Sequence, residues 1–341
     1  MDLRRRWPLF DQAAGTNADN GADCSSHARA GLDQFILFTR RQVDLVPAWH
    51  RSHGILSRKL SACSANHASL RQGECLKTLE KNMASALIGY TGFVGSNLLR
   101  ARSFDDLYNS SNIGNIVGKH YDLLVCAGVP AVKWKANKEP DRDREQIAAL
   151  IDPLSKVTAD RFILISTIDV YSNPSKLHDE SKDPFDPEAQ PYGKHRLEVE
   201  KWATAHFSDT MIVRLPALFG PGLKKNVIFD LLHDNQTDKI DPASSFQWYS
   251  LDRLWNDIET AGHAGLKLVN LFPEPVPTRA ILDKLFPDAF VGKPSDAPVS
   301  YRLCTRHAGV FGQTGRYIAP ASSVMDDIAK FVARERQNGG N

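Results

Sequence analysis

The run from Ala86 to Arg100, Ala-Leu-Ile-Gly-Tyr-Thr-Gly-Phe-Val-Gly-Ser-Asn-Leu-Leu-Arg, constrains this chain more than any other stretch. Ala86, Leu87 and Ile88 form a short apolar run of the kind that builds a strand buried on both faces. Gly89, Gly92 and Gly95 follow at three-residue intervals, and Phe93, Val94, Leu98 and Leu99 then recur at helical spacing. The glycines therefore sit on a turn from strand to helix. In such a turn the first glycine permits the sharp bend, the second lets backbone approach a pyrophosphate, and the third lets the helix pack closely on the strand. The helix start adds N–H groups and the positive end of its dipole. Gly89, Thr91, Gly92, Phe93, Val94 and Gly95 are thus the candidate dinucleotide site. The spacing G-x-x-G-x-x-G is wider than the usual G-x-G-x-x-G, so an ordinary glycine turn of an α/β core stays open on these residues alone.

The rest of the chain suits a domain built on that turn. Its 341 residues suffice for a nucleotide domain and a smaller substrate lobe. No apolar run approaches the roughly 20 residues needed to cross a bilayer, and no membrane partner is expected. The net charge of +2 divides unevenly, with 12 Lys+Arg against 8 Asp+Glu before residue 83 and 30 against 32 after it. A basic balance confined to one end does not make a nucleic-acid binder. The five cysteines, Cys24, Cys63, Cys75, Cys126 and Cys304, show neither metal-ligand spacing nor a disulfide framework. Cys126 reads as a buried thiol, no metal is expected, and the cytoplasm is the expected compartment.

Residues 1–82 show no sustained period of 2 or 3.6 and read as a poorly ordered extension, or a translated upstream segment. A targeting peptide is the alternative, against which Asp2, Asp11, Asp19 and Asp23 argue. From Met83, strands and helices alternate, which argues a parallel sheet with crossover helices. Strands are expected at Ala86–Ile88, Asp105–Asn109, Tyr121–Ala127, Arg161–Thr167 and Thr210–Arg214, and helices near Asp141–Val157 and Pro191–Phe207. Beyond Pro216 come a turn at Gly220-Pro221-Gly222, a helix near Val227–His233 and strands near Phe246–Ser250 and Leu266–Leu271. The division is an α/β, Rossmann-type doubly wound domain over 83–215 and a C-terminal substrate lobe over 216–341, partly interleaved with it. The span from the glycine turn to Tyr121 is short, so a strand–helix pair is expected to be trimmed.

A second constellation follows. The strand Arg161–Thr167 ends in Ser166-Thr167, then come Val170-Tyr171, an acidic loop with Glu180, and Pro191-Tyr192-Gly193 opening a helix. Arg214-Leu-Pro-Ala-Leu-Phe-Gly-Pro-Gly222 lies beyond. These segments, in this order and with the wide glycine spacing, resemble the extended short-chain dehydrogenase/reductases of the NAD-dependent epimerase/dehydratase family over roughly Met83–Leu271. The resemblance implies a Rossmann-type fold, NAD or NADP, a nucleotide-linked sugar substrate, and helix-mediated homodimers. It implies Tyr192 as general acid/base and Thr167 as the hydroxyl that polarises the substrate oxygen. The chemistry agrees: hydride moves at a carbon whose oxygen must exchange a proton, and a phenol of ordinary pKa near 10 needs help to do so at neutral pH.

The family pattern Tyr-x-x-x-Lys is broken here, because Arg196 stands one helical turn after Tyr192. Arginine keeps the charge but does not deprotonate. It serves as a stand-in, or alters catalysis, or marks a nucleotide-binding protein without turnover. Lys194 points to another face, and His195 reads as a surface residue.

Ala127, Gly128 and Ser166 at the ends of the third and fourth strands are further expected cofactor contacts, as are Tyr192 and Arg196, the latter at the nicotinamide ribose. Asn109 and Ser111 stand where many such folds place an acid for the ribose 2′-OH. Their neutrality leans the reading to NADP, with Asp105 or Asp106 serving NAD if the strand is registered differently. Lys133 and Trp134 are candidates for a substrate phosphate and sugar or base, and Arg214, with Lys224 and Lys225, for a diphosphate. Against each stands a solvated or packed side chain. The body is short for a sugar epimerase, so a 4-keto-sugar reductase is the leading expectation, an epimerase or dehydratase the second, and a non-catalytic scaffold or redox sensor the third.

Overall fold

The computed structural model describes residues 83–339. The expectations for residues 1–82 lie outside them.

The apolar run before the glycines is β1 (Ser85–Ile88), buried throughout, and it feeds α1 (Phe93–Ala101). β2 (Asp106–Tyr108) and β3 (His120–Cys126) follow, joined by a single 3₁₀ turn, Ile113–Ile116. α2 (Lys133–Lys138) and α3 (Pro140–Leu154) lead to β4 (Thr158–Thr167). α4 (Pro191–His206) leads to β5 (Thr210–Leu215). Then come β6 (Ala217–Phe219), α5 (Val227–His233), β7 (Ser245–Phe246) and β8 (Trp248–Ser250). The chain ends with α6 (Leu254–His263), β9 (Leu268–Asn270), β10 (Val276–Pro277), α7 (Thr278–Leu285) and α8 (Ala321–Gly339).

Six strands form one parallel sheet in the order β2-β1-β3-β4-β5-β9. From β1 the order runs outward to β2 on one side and to β3, β4 and β5 on the other. The carboxyl ends of β1 and β3 therefore flank the switch point where open α/β sheets hold ligands. Period-two alternation sorts the side chains. Leu87, Val125, Ile163, Ile165, Met211 and Val213 face a core completed by Leu98 of α1 and Leu254 and Ile258 of α6. On the other face, Phe162 stacks on Phe207 at 4.1 Å beneath α4.

The trimming is confirmed among the described residues: β2 is the sheet edge, with no strand outside it. The edge is blunted rather than left as a pairing template. Asp106 Oδ2 accepts from the Tyr121 hydroxyl at 2.5 Å, Lys119 Nζ at 2.8 Å and the Tyr108 hydroxyl at 3.2 Å. These bonds hold its carboxyl below the usual range, while Lys119 is pushed up to about 12.

A second core gathers Phe219, Ile228, Trp248, Ile281, Ile328 and Phe331 from the C-terminal half. Between the two cores the chain goes back: α6 covers the main sheet and β9 completes it. The strand expected at Phe246–Ser250 is two strands. β7 pairs with β10 and β8 with β6, and the break falls at Gln247, whose buried Nε2 donates to the Pro273 and Leu303 carbonyls at 2.7 Å each. The helix expected at Asp141–Val157 is α3, and a separate α2 precedes it, where a loop had been expected.

Two glycines make the layers fit. A Cβ on Gly95 would lie 2.0 Å from the Gly89 carbonyl oxygen, and one on Gly193 1.9 Å from the Asp169 carbonyl oxygen. Neither neighbour is a flexible side chain, so backbone must move. Gly193→Ala is expected to cost about 3 kcal/mol in urea denaturation. Gly114→Ala, where a Cβ meets nothing within 4 Å, should stay within about 0.5 kcal/mol of the parent; equal losses would refute the packing argument.

Candidate active site

At the switch point the glycine turn and the end of β3 meet. Gly89 has φ +84, and a Cβ there would come within 2.6 Å of the Ala127 carbonyl carbon. Ala127 N donates to the Ile88 carbonyl at 2.9 Å, and Gly92 N to the Gly89 carbonyl at 2.9 Å. Thr91 and Gly92 are exposed, Phe93 and Val94 are half-buried, and no side chain caps α1. A cradle this close to backbone, ending at an uncapped helix start, fits a pyrophosphate. The turn Gly220–Gly222 braces it, because the Pro221 carbonyl accepts from Asn97 Nδ2 at 3.0 Å and Arg100 Nη1 at 3.2 Å.

The ribose end of this cleft is neutral. Asn109 follows β2 directly, accepts from Ser111 N at 2.9 Å, and donates to the Tyr90 hydroxyl at 3.3 Å. The two acids held in reserve are committed elsewhere. Asp105 accepts from Ser85 N and Oγ at 2.8 and 2.7 Å, and Asp106 seals the sheet edge.

The constellation at the end of β4 comes together as expected. Pro191 opens α4 and sets Tyr192 in its first turn. Tyr192 N donates to Asn137 Oδ1 of α2 at 2.9 Å, its ring is buried, and the start of α4 packs on the segment after Thr167, with Gly193 against the Asp169 carbonyl. Thr167 accepts from Asp169 N at 3.2 Å. Burial pushes the Tyr192 phenol above its ordinary pKa, and the nearby Arg196 charge offsets only part of this. That reverses the expected lowering.

Arg196 is the strongest of the influences that lower the Tyr192 pKa, and burial outweighs it. It lies over the Tyr192 ring, 4.1 Å from Cζ to the centroid. Its Nη1 and Nη2 donate to Asp143 of α3, and Nη2 also to the Pro130 carbonyl. The charge is paired with Asp143. Its Nε is buried with no partner. His195 is not a surface residue: it is 3 % exposed and hydrogen-bonds Asp143 at 2.7 Å through Nδ1. Burial, only partly offset by that carboxylate, holds His195 below its ordinary pKa, whereas Arg196 and His195 outweigh burial at Asp143 and hold its carboxyl low.

Two further expectations are corrected. Ser166 Oγ donates to Glu200 Oε1 at 2.5 Å, so this hydroxyl serves α4 rather than the cleft. Arg214 is 3 % exposed and cannot meet a diphosphate. It forks onto Glu200, Nε to Oε1 at 3.0 Å and Nη2 to Oε2 at 2.6 Å, and Nη1 donates to the Tyr171 hydroxyl at 2.8 Å. Glu180 likewise ties structure together, accepting from Asn270 N, Thr305 Oγ1 and Arg306 N. Cys126 is buried, its thiol pushed up to about 11 by desolvation.

Of the substrate candidates, Trp134 is 66 % exposed and packs under nothing. Lys133 Nζ donates to Asp169 Oδ1 at 2.7 Å and approaches the Tyr301 hydroxyl at 3.4 Å. Lys225 Nζ reaches the Ala131 carbonyl at 3.3 Å. Asp169 and Tyr301 were missed; the first lies two residues past Thr167, and the second carries no sequence signal. Tyr301 packs at 5.8 Å against Phe246, which lines a cavity of about 270 Å³ with Val227, Lys239, Ile240 and Val299. Among the described residues no cluster of three potential ligands holds a metal site.

The buried imidazole generates a pH dependence. The unfolded chain takes up a proton on it near pH 6.5 that the folded chain resists, so its contribution is complete above that pH and lost as the pH falls through the lower folded value. Tm is expected to fall from about pH 7.5 to 5.5, and less steeply in His195→Gln; parallel slopes would remove His195 as the cause.

Residues 106–244 match the family model described as NAD dependent epimerase/dehydratase family, a span that begins after the glycine turn. No curated protein matches the chain. Among solved structures, the UDP-N-acetylglucosamine 4-epimerase from Methanobrevibacter ruminantium is similar, with TM-score 0.61, 15% identity, and 75% of this chain covering 99% of that one. The dTDP-glucose 4,6-dehydratase from Streptomyces venezuelae gives 0.57, 17%, 75% and 98%. The UDP-glucose 4-epimerase from Thermotoga maritima gives 0.56, 14%, 74% and 99%. Such identities speak for the fold. Residues 106–244 are similar to that family, and the chain has the Rossmann-type fold that these nucleotide-sugar enzymes share.

Proposed function

We propose that this chain is an NAD(P)-dependent enzyme that moves a hydride at a hydroxyl- or keto-bearing carbon of a nucleotide-linked sugar. The observation that carries the reading is that the start of α4, with Tyr192, packs on the Thr167–Asp169 segment at the carboxyl end of β4, Gly193 lying against the Asp169 carbonyl. The dinucleotide, when bound, supplies the hydride donor or acceptor. Gly89, Gly92 and the start of α1 would hold its pyrophosphate, and Asn109 and Ser111 its adenine ribose. Thr167 donates a hydrogen bond to the substrate oxygen and Tyr192 exchanges its proton. The cavity at Phe246 suits the substrate's base.

The finer proposal is reduction of a 4-keto sugar. A tyrosine hydroxyl, neutral at pH 7, can give its proton to a nascent alkoxide. The epimerase or dehydratase reading gains from a different observation. Because 75% of this chain spans 99% of a sugar epimerase, a short body is no argument against it. For the cofactor, a neutral ribose rim accepts a 2′-phosphate without repulsion, which favours NADP; the names of several neighbours mention NAD.

Native mass spectrometry of the purified protein is expected to show retained NAD(P). With keto-sugar nucleotides and NADPH, a net fall in absorbance supports reduction, whereas product without that fall supports epimerisation. Tyr192→Phe is expected to lower kcat about 10²–10⁴-fold while nucleotide affinity stays within about twofold. Unchanged turnover, or indifference to both pyridine nucleotides, would overturn the assignment. Asn109→Asp is expected to weaken NADP at least about tenfold relative to NAD by calorimetry, since it sets a carboxylate against the 2′-phosphate; an unchanged ratio would place the ribose elsewhere.

A further inference from the structure

α4 begins on a proline, and that shapes what its start can bond. Pro191 has no N–H, so the first donor of the helix is that of Tyr192. An N–H in the first turn has no acceptor within its own helix. Such donors commonly find the side chain of the residue just before the helix, but Gln190 makes no such bond here. The acceptor comes from another element. Tyr192 N donates to Asn137 Oδ1 at 2.9 Å, across 55 residues of sequence. Asn137 is half-buried in α2, the six-residue helix on the segment that leaves β3. A second bond lays the same helix on the site. Lys133 stands one turn before Asn137, on the same face, and its Nζ donates to Asp169 Oδ1 at 2.7 Å. One face of α2 thus holds both the segment after β4 and the start of α4.

We propose that Asn137 is a positioning residue for Tyr192: its carboxamide oxygen caps α4 where Gln190 does not, and fixes the backbone from which the phenol projects. The inference rests on the reading of Tyr192 as the proton-exchanging group. The other holds on this tyrosine differ in kind. Arg196 lies over its ring, and Gly193 seats the next residue against the Asp169 carbonyl. Asn137 alone among these three takes the N–H of Tyr192 itself.

The bond predicts a specific defect. Only the oxygen of Asn137 enters it, so an aspartate of the same shape keeps the acceptor and an alanine removes it. Asn and Asp are about equal as helix caps. Without the acceptor, a part-buried N–H is left unpaired at the residue that exchanges the proton, while the glycine cradle at Gly89–Gly95 is untouched. A misplacement of about 1 Å is enough to slow a reaction strongly. Turnover suffers, therefore, and nucleotide affinity does not.

The test follows hydrogen exchange at single amides of the full chain, alongside kinetics with NADPH and a 4-keto-sugar nucleotide. Asn137→Ala is expected to speed exchange of the Tyr192 amide about fivefold. It should lower kcat about tenfold, with both KM values within about twofold. Asn137→Asp should bring both readings back to within about threefold of the parent. Ile328→Val thins the second core away from the site; as the control for lost stability it should leave kcat and Tyr192 exchange within about twofold. The proposal is overturned if Tyr192 exchange in Asn137→Ala matches the parent, or if Asn137→Asp fails to rescue. It is equally overturned if Asn137→Ala keeps kcat within about twofold while Tyr192→Phe loses turnover. Absent turnover, or full turnover in Tyr192→Phe, would instead overturn the role given to that phenol; the exchange readings, which need no substrate, then judge the cap by themselves.

Discussion

The buried ion pair between Asp143 and Arg196 is the interaction on which the site depends. It joins α3 to α4, and through the Pro130 carbonyl it also fixes the loop that leaves β3. His195 shares the same carboxylate, so one acid satisfies two donors in a region with almost no water access. An isolated charge in such a place would be costly, and removing one partner of a buried pair typically costs about 3–5 kcal/mol because the other charge stays behind. The guanidinium is therefore held by structure first. Its guanidinium lies over the Tyr192 ring while it holds Asp143.

A second buried pair does for the sheet what the first does for the helices. Glu200 receives Arg214 from β5 and Ser166 from β4, and Arg214 passes the contact on to Tyr171, which also takes Asn270 Nδ2 from β9 at 3.1 Å. The carboxyl ends of three neighbouring strands are thereby locked under one helix. Thr167 sits at the rim of this network and not within it, and its hydroxyl takes the Asp169 N–H instead. The chemistry-bearing groups are few, and their support is much larger.

The parts legible beforehand are those written in consecutive residues. The glycine turn, the strand ending in Ser166-Thr167 and the Pro191-Tyr192-Gly193 helix start depend on local backbone demands: a positive φ at Gly89, a proline that can open a helix, a glycine where no Cβ fits. Such demands leave marks in short windows. The burial of His195 and Arg214 left none, because both residue types usually face solvent and only the partners Asp143 and Glu200, distant or one helix away, make burial tolerable. Ser166 misled for a related reason. Successive residues on a strand point to opposite faces, so of two adjacent hydroxyls only one could line the cleft, and which one depended on where α4 came to lie. α2 and Tyr301 were invisible because a six-residue helix and a lone loop tyrosine have no period to detect.

The linear order of residues was enough to require a parallel sheet with a nucleotide-sized turn at its switch point, and a threonine and a tyrosine at one end of it, since those follow from periodicity and from what glycine and proline permit. Only the folded molecule assigned the charges. Whether a guanidinium four residues after a phenol acts on that phenol depends on what else competes for it. Here a carboxylate from another helix takes it. Electrostatic effects fall off with distance in space and not along the chain, so this allocation is settled by packing alone.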